Sequence, residues 1–239
     1  MDKELFIFYS TPSDKEDGCL AYDCIQKMIQ CGLVKSDNWR CKTSNKDSLA
    51  KTYNDILKDP CVSGKILVLI HSDLKIDDIF VKDKLNERFR RSPNAALVGI
   101  AGGGRIADRP DKLQLWHLIT LKESWMGEVS GNRTSDLLSP IITTRFGLQG
   151  NRAIIVDGCF LAVDVDRVRA KGVLFDENSP SKYNFYDLMF SLRCYWAGLE
   201  VYVDSVHVVH TSPGLTKVTE DFAVGNQYFK EKYLSRLWS

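Results

Sequence analysis

The chain alternates short apolar runs with longer stretches in which apolar residues recur every three or four positions, a pattern that predicts strands alternating with amphipathic helices. Residues 5–9 read as a first strand, Ser10-Thr11-Pro12-Ser13 as its exit loop, and residues 18–30 as a helix stopped at Gly32. Trp39–Lys42 reads as a short second strand. Leu49, Tyr53, Ile56 and Leu57 then mark one face of a helix over residues 48–57 that Pro60 ends. A strand over residues 65–70, a charged helix near residues 76–91 and an apolar strand over residues 95–100 continue the alternation. The expected fold class is therefore α/β.

The pattern breaks after Gly104. Ala101-Gly102-Gly103-Gly104-Arg105 matches neither a phosphate-binding loop nor a dinucleotide fingerprint, and it reads as a flexible exit loop. Residues 105–140 mix Trp116, Trp125 and Met126 with glycines and charges, which predicts a long irregular excursion covering a sheet edge. Residues 153–156 and 159–163 read as strands flanking Asp157-Gly158, followed by a short helix over residues 164–171. Leu188, Met189, Leu192, Tyr195 and Trp196 mark a later helix ending at Gly198, and residues 201–209 read as a late strand delivering His207 and His210. The chain has no internal repeat, and it is expected to form one domain.

The run Lys65-Ile66-Leu67-Val68-Leu69-Ile70 is apolar after its lysine, as a strand buried on both faces must be, and it leads straight into His71-Ser72-Asp73. The carboxyl edge of an open α/β sheet is where ligands bind. A carboxylate and an imidazole separated by one residue, with Asp77 and Asp78 following, offer a divalent cation hard oxygen ligands and one nitrogen.

Composition narrows the partners. Lys and Arg number 32 against 31 Asp and Glu, so no global charge favours nucleic acid or an anionic membrane. The seven cysteines are odd in number and contain no CxxC pair, which predicts reduced thiols in a cytoplasmic protein. The first strand begins almost at Met1, which leaves no room for a signal peptide, and no apolar run approaches the ~20 residues of a transmembrane helix.

Five local patterns occur in one order: Ser48 to Asn54; the strand ending in His71-Ser72-Asp73; Val156-Asp157-Gly158-Cys159-Phe160; Phe185-Tyr186-Asp187 leading to Arg193 and Gly198; and Val209-His210-Thr211-Ser212-Pro213-Gly214. Together they resemble the nucleotide-sugar glycosyltransferases of GT-A fold, in particular the family-2-like group. The resemblance implies a Rossmann-like domain with a mostly parallel mixed central sheet and helices on both faces. It also implies transfer of a sugar from a nucleoside-diphosphate sugar, a UDP-sugar first among them, to an acceptor hydroxyl. In such enzymes the strand-end tripeptide is usually Asp-x-Asp, and its last carboxylate binds Mn²⁺ or Mg²⁺ on the donor diphosphate. Here Asp73 keeps that place, while His71 replaces the first carboxylate. The acidic, glycine-bearing segment that usually holds the base is not evident around residues 39–47.

By the same resemblance Asp187 is the general base, and His210 completes the metal shell beside Asp73. Each residue also has a plainer reading. Asp73 and Asp187 each suit a helix cap, His71 either contacts the ribose or joins the metal shell or is a satisfied strand-end histidine, and His207 competes with His210. Asp157-Gly158 is either a tight hairpin turn or the sugar-binding carboxylate. Tyr9, Ser10, Thr11 and Asn54 are donor or nucleotide contacts by position, and Trp116 and Trp125 either stack on a sugar or pack in the core. Two other readings remain open: a GT-A-like protein that binds a nucleotide or partner without turnover, and a metallohydrolase using His71, Asp73, His207 and His210.

Overall fold

The computed structural model describes residues 2–107, 115–132, 140–212 and 217–237. Pro213, Gly214 and two stretches of the irregular excursion, 108–114 and 133–139, lie outside the described residues.

Strand β1 (Leu5–Ser10), helix α1 (Leu20–Gln30), strand β2 (Trp39–Lys42) and helix α2 (Leu49–Lys58) open the chain close to their predicted bounds. Ser48 caps α2 by accepting from Lys51 N. Strand β3 (Ile66–His71) follows, and then β4 (Leu74–Ile76) precedes α3 (Val81–Arg91). The charged helix is thus shorter than predicted. Of its expected first turn, Ile76 ends strand β4, with Leu74 and Ile76 buried and Lys75 between them half-exposed, and residues 77–80 are irregular.

Strand β5 (Ala95–Gly99) leads into β6 (Ala101–Gly103). The glycine-rich stretch is therefore a buried strand and not the flexible loop expected. A Cβ on Gly102 would lie 2.2 Å from Ile155 O, so the adjacent backbone packs only because no side chain is there. The excursion is also less irregular than predicted. It contains the one-turn helix α4 (Trp116–Ile119) and strand β7 (Trp125–Gly131), which pairs with β8 (Ile142–Gly147).

Strands β9 (Asn151–Ala153), β10 (Ile155–Val156) and β11 (Phe160–Asp164), and helices α5 (Val165–Ala170) and α6 (Tyr186–Trp196), come next. The predicted late strand divides into β12 (Glu200–Val203) and β13 (Val208–His210), and helix α7 (Glu220–Phe229) follows. The division falls at Asp204, whose carboxylate holds Arg88 through contacts of 2.7 Å.

The central sheet has the order β2-β1-β3-β11-β5-β12-β9. Strands β2, β1, β3, β5 and β12 run one way, with β11 and β9 reversed, so the sheet is mostly parallel but mixed, as expected. Alternation along its strands separates two core layers. Leu5, Ile7, Ile66 and Val68 pack with Ile25 of α1 and Leu85 of α3, whereas Phe6, Phe8, Leu67 and Leu69 pack with Tyr53 and Leu57 of α2 and Phe190 of α6. Helices therefore cover both faces.

A second sheet, ordered β10-β6-β7-β13-β4 with β8 beside β7, stands next to the first. Phe185, Leu188 and Leu192 form a third cluster with Phe222 and Phe229 of α7. Because β10 pairs with β6 while β11 pairs with β3 and β5, the strands flanking Asp157-Gly158 are not partners, and the hairpin reading of that dipeptide is corrected. No helix of the described residues is long and apolar enough to cross a membrane.

Candidate active site

Strand β3 ends at His71, and the chain turns through Ser72 and Asp73 into β4. Strand β13 pairs antiparallel with β4 so that His210 lies opposite Leu74, and this register carries the late histidine to Asp73. Thr211 secures the junction, its N and Oγ1 donating to Asp73 O at 3.0 and 3.1 Å. His210 Nε2 lies 3.2 Å from Asp73 Oδ1, and His71 Nδ1 lies 4.0 Å from the same oxygen. Potential ligand atoms of His71, Asp73 and His210 all fall within 4.8 Å of one another.

Electrostatics at this cluster favour a neutral imidazole beside a carboxylate. Burial, with His210 adding to it, pushes His71 below its ordinary value. At Asp73 burial raises the carboxyl, but the two imidazoles outweigh it and hold the group below its usual range. His210 Nε2 is shielded from solvent and makes no aligned hydrogen bond. Two imidazoles and a carboxylate whose ligand atoms lie this close fit a divalent transition cation such as Mn²⁺.

Further lining of the site comes from the start of α6. Phe185 precedes the helix in the left-handed region at φ 67°, unusual for a bulky residue. Its ring is held between Phe222 and Phe229 of α7, with centroids at 4.9 and 5.8 Å. Asp221 of α7 fastens the preceding loop, accepting from Ser181 Oγ, Lys182 N and Asn184 Nδ2 at 2.7 Å each. This frame presents Tyr186 and Asp187.

Asp187 stands one residue inside the helix, and no side chain caps the helix, so the capping reading does not describe it. Burial raises its carboxyl, the negative Asp157 raises it further, and nearby backbone N–H groups only partly offset them, giving a value of about 7. Asp157 itself is fixed, its Oδ1 accepting from Cys159 N and its Oδ2 from Trp116 Nε1, both at 3.0 Å. Between the two carboxylates, Gly158 leaves the necessary space: a Cβ there would lie 2.4 Å from Tyr186 Oη and 2.8 Å from Asp187 Cβ.

His71, Trp116, Asp157, Gly158, Asp187 and His210 line one cleft of about 300 Å³. Tyr9, Ser10 and Thr11, expected as donor contacts at the end of the first strand, do not line that cleft. Ser10 sits beside His71 in register, but its Oγ accepts from Asn45 Nδ2 at 3.0 Å. The hydroxyl of the buried Tyr9 donates to Glu16 O at 2.6 Å, and Thr11 is buried with its N donating to Lys42 O.

Asn54 is committed to the fold. Its amide donates to Phe175 O at 3.0 Å and Glu177 Oε1 at 2.7 Å, and it accepts from Phe175 N at 2.8 Å. His207 turns away toward Ser130 and is not among the clustered ligands. Asp77 pairs with Lys75 and Asp78 with Lys84, because β4 carries both away from Asp73. The expectation that these two aspartates join the same site is thereby corrected.

Sequence reasoning overlooked Tyr186. Its hydroxyl lies 2.7 Å from His71 Nε2 and donates to Gly158 O at 3.0 Å. Its position beside Asp187 was the available signal, but the contact with His71 exists only once β3 and α6 have packed.

No curated protein matches the chain in sequence. Among solved structures, A197 from STIV is similar at 10% identity and a TM-score of 0.48, over 88% of this chain and 90% of that one. Residues 1–349 of TarS from S. aureus are similar at 9% identity and a TM-score of 0.48, over 97% of this chain and 73% of that one. The same TarS segment in complex with UDP gives 11% identity and a TM-score of 0.46, over 98% and 72%. Residues 10–233 match a family described as glycosyltransferase-like, and the chain belongs to that family.

Proposed function

We infer that the protein transfers a sugar from a nucleoside-diphosphate sugar to an acceptor hydroxyl with inversion at the anomeric carbon, and that it does so with a divalent cation. The observation that carries this reading is that His71, His210, Asp157 and Asp187 line one cleft. His71, Asp73 and His210 would hold the cation. When bound, it supplies positive charge to the phosphate oxygens of the departing nucleoside diphosphate.

Asp187 acts as the general base. It accepts the acceptor's hydroxyl proton as that oxygen bonds to the anomeric carbon, and the bond from that carbon to the diphosphate oxygen breaks on the opposite face. A value of about 7 suits this task, since half the carboxyl is ionised at neutral pH and its basicity is far above that of an exposed aspartate. Asp157, pinned by Trp116 and Cys159, presents a fixed carboxylate to sugar hydroxyls, and the Trp116 ring lines the same cleft.

Incubation with UDP- and GDP-sugars and Mn²⁺ tests the reading. Nucleoside diphosphate should be released, with UDP-sugars the first to examine, and the product's anomeric configuration should be opposite to the donor's. Absence of release or hydrolysis across the panel would overturn it, and tight nucleotide binding without product would favour a binding protein.

A further inference from the structure

The link between Tyr186 and His71 has a consequence for proton placement. Tyr186 carries one hydroxyl proton, and a carbonyl oxygen only accepts. With that proton given to Gly158 O at 3.0 Å, the contact of 2.7 Å to His71 Nε2 requires the ring nitrogen to donate. The opposite tautomer would leave Gly158 O without this donor. It would also put a proton on Nδ1, whose nearest carboxylate oxygen, Asp73 Oδ1, is 4.0 Å away, beyond hydrogen-bond distance.

The geometry points to Tyr186 as a positioning residue that holds neutral His71 as its Nε2–H tautomer, so that the Nδ1 lone pair faces the space shared with Asp73 and His210. Packing keeps the tyrosine in place. Its ring meets Tyr53 edge-on with centroids 5.5 Å apart, and a Cβ on Gly158 would collide with its hydroxyl. His71 is tied independently from its backbone, where His71 N donates to Cys159 O at 3.1 Å. Both partners are therefore fixed by the fold, and the ring orientation does not depend on an exposed side chain. A second hydrogen bond that selects the tautomer and aims the other nitrogen is how proteins commonly orient a metal-binding histidine.

The inference toward the cation rests on the metal reading above, but the tautomer does not. Long-range ¹H–¹⁵N spectra of the histidine rings, recorded on the metal-free full chain at about pH 8 where an ordinary histidine is neutral, should show His71 protonated on Nε2. The resonances are identified by comparison with His71→Gln. Tyr186→Phe keeps the ring and removes the hydroxyl. It should mix the two tautomers and weaken Mn²⁺ binding about tenfold or more by titration calorimetry.

A wild-type spectrum with His71 protonated on Nδ1 would overturn the inference whether or not the variant folds. So would a folded Tyr186→Phe that keeps both the tautomer and the Mn²⁺ affinity. His71→Ala separates the two readings: if it leaves Mn²⁺ affinity unchanged, His71 is not a ligand and the metal reading fails at that residue, while the spectrum still decides the tautomer.

Discussion

His210 Nε2 stands 3.2 Å from Asp73 Oδ1, although the two residues are far apart in sequence. The pairing of β4 with β13, which sets His210 opposite Leu74, makes the contact. The imidazole nitrogen is buried there without an aligned hydrogen bond, and the proposed cation would lie against both groups. Asp73→Ala and His210→Ala should each weaken Mn²⁺ binding by about 10–100-fold, as removal of a ligand or its support commonly does. Electron paramagnetic resonance of free Mn²⁺ measures this directly. The double variant should lose less than the sum of the single losses, since in the proposed site both residues would hold one ion.

The pH profile should report Asp187. Its carboxyl is raised to about 7, first by burial and then by Asp157, and a base must be unprotonated to act. Below that value kcat/KM should therefore fall about tenfold for each pH unit, and above it the profile should level off. Asp157→Asn removes the neighbouring charge and should move the midpoint downward, without returning it to an ordinary aspartate value because burial remains. Asp187→Asn should lower kcat by about 10²–10⁴-fold. A profile with no acid limb near neutrality would remove Asp187 from the role of base.

The same shift has the opposite consequence for stability. An aspartate near 3.9 in the unfolded chain and near 7 in the fold binds more protons when folded throughout that interval. The linkage sign then makes the folded state lose stability as pH rises between those values, with no further loss above them. Asp187→Asn avoids the cost of an ionised, partly buried carboxylate. At pH 8 and without metal it should be more stable than the wild type, by about 1–2 kcal/mol once solvent screening is allowed for, and near pH 4 the advantage should vanish. Urea midpoints at the two pH values test the sign.

Local periodicity made much of the fold legible. Trp39–Lys42 is read with the bounds it has, and the buried run before His71 identifies both the strand and its ligand-facing end. What the sequence hid depends on partners far away. Leu74-Lys75-Ile76 is too short to declare itself a strand, yet its pairing with β13 decides where His210 goes. Gly102 has a poor strand propensity, and only the closeness of Ile155 O explains why glycine belongs there. Tyr186 likewise looks like one more aromatic at a helix start until His71 and Gly158 are brought to its hydroxyl. Asp73, Asp157, Asp187 and His210 were all singled out from the sequence, but their mutual arrangement is a property of the packing.

Asn54 offers a test that separates a structural amide from a donor contact. It is buried, and its side chain holds both backbone groups of Phe175 as well as Glu177, tying α2 to the segment that precedes α6. Asn54→Ala would leave Phe175 N and Phe175 O without these partners, at a cost of about 2–4 kcal/mol, since a buried polar group stripped of its partner loses more than one hydrogen bond is worth on average. The variant should therefore show a lower melting temperature and urea midpoint. Because the amide does not line the cleft, the KM for the donor should change little in the fraction that remains folded. A KM raised tenfold with unchanged stability would reverse this assignment and return Asn54 to the donor site.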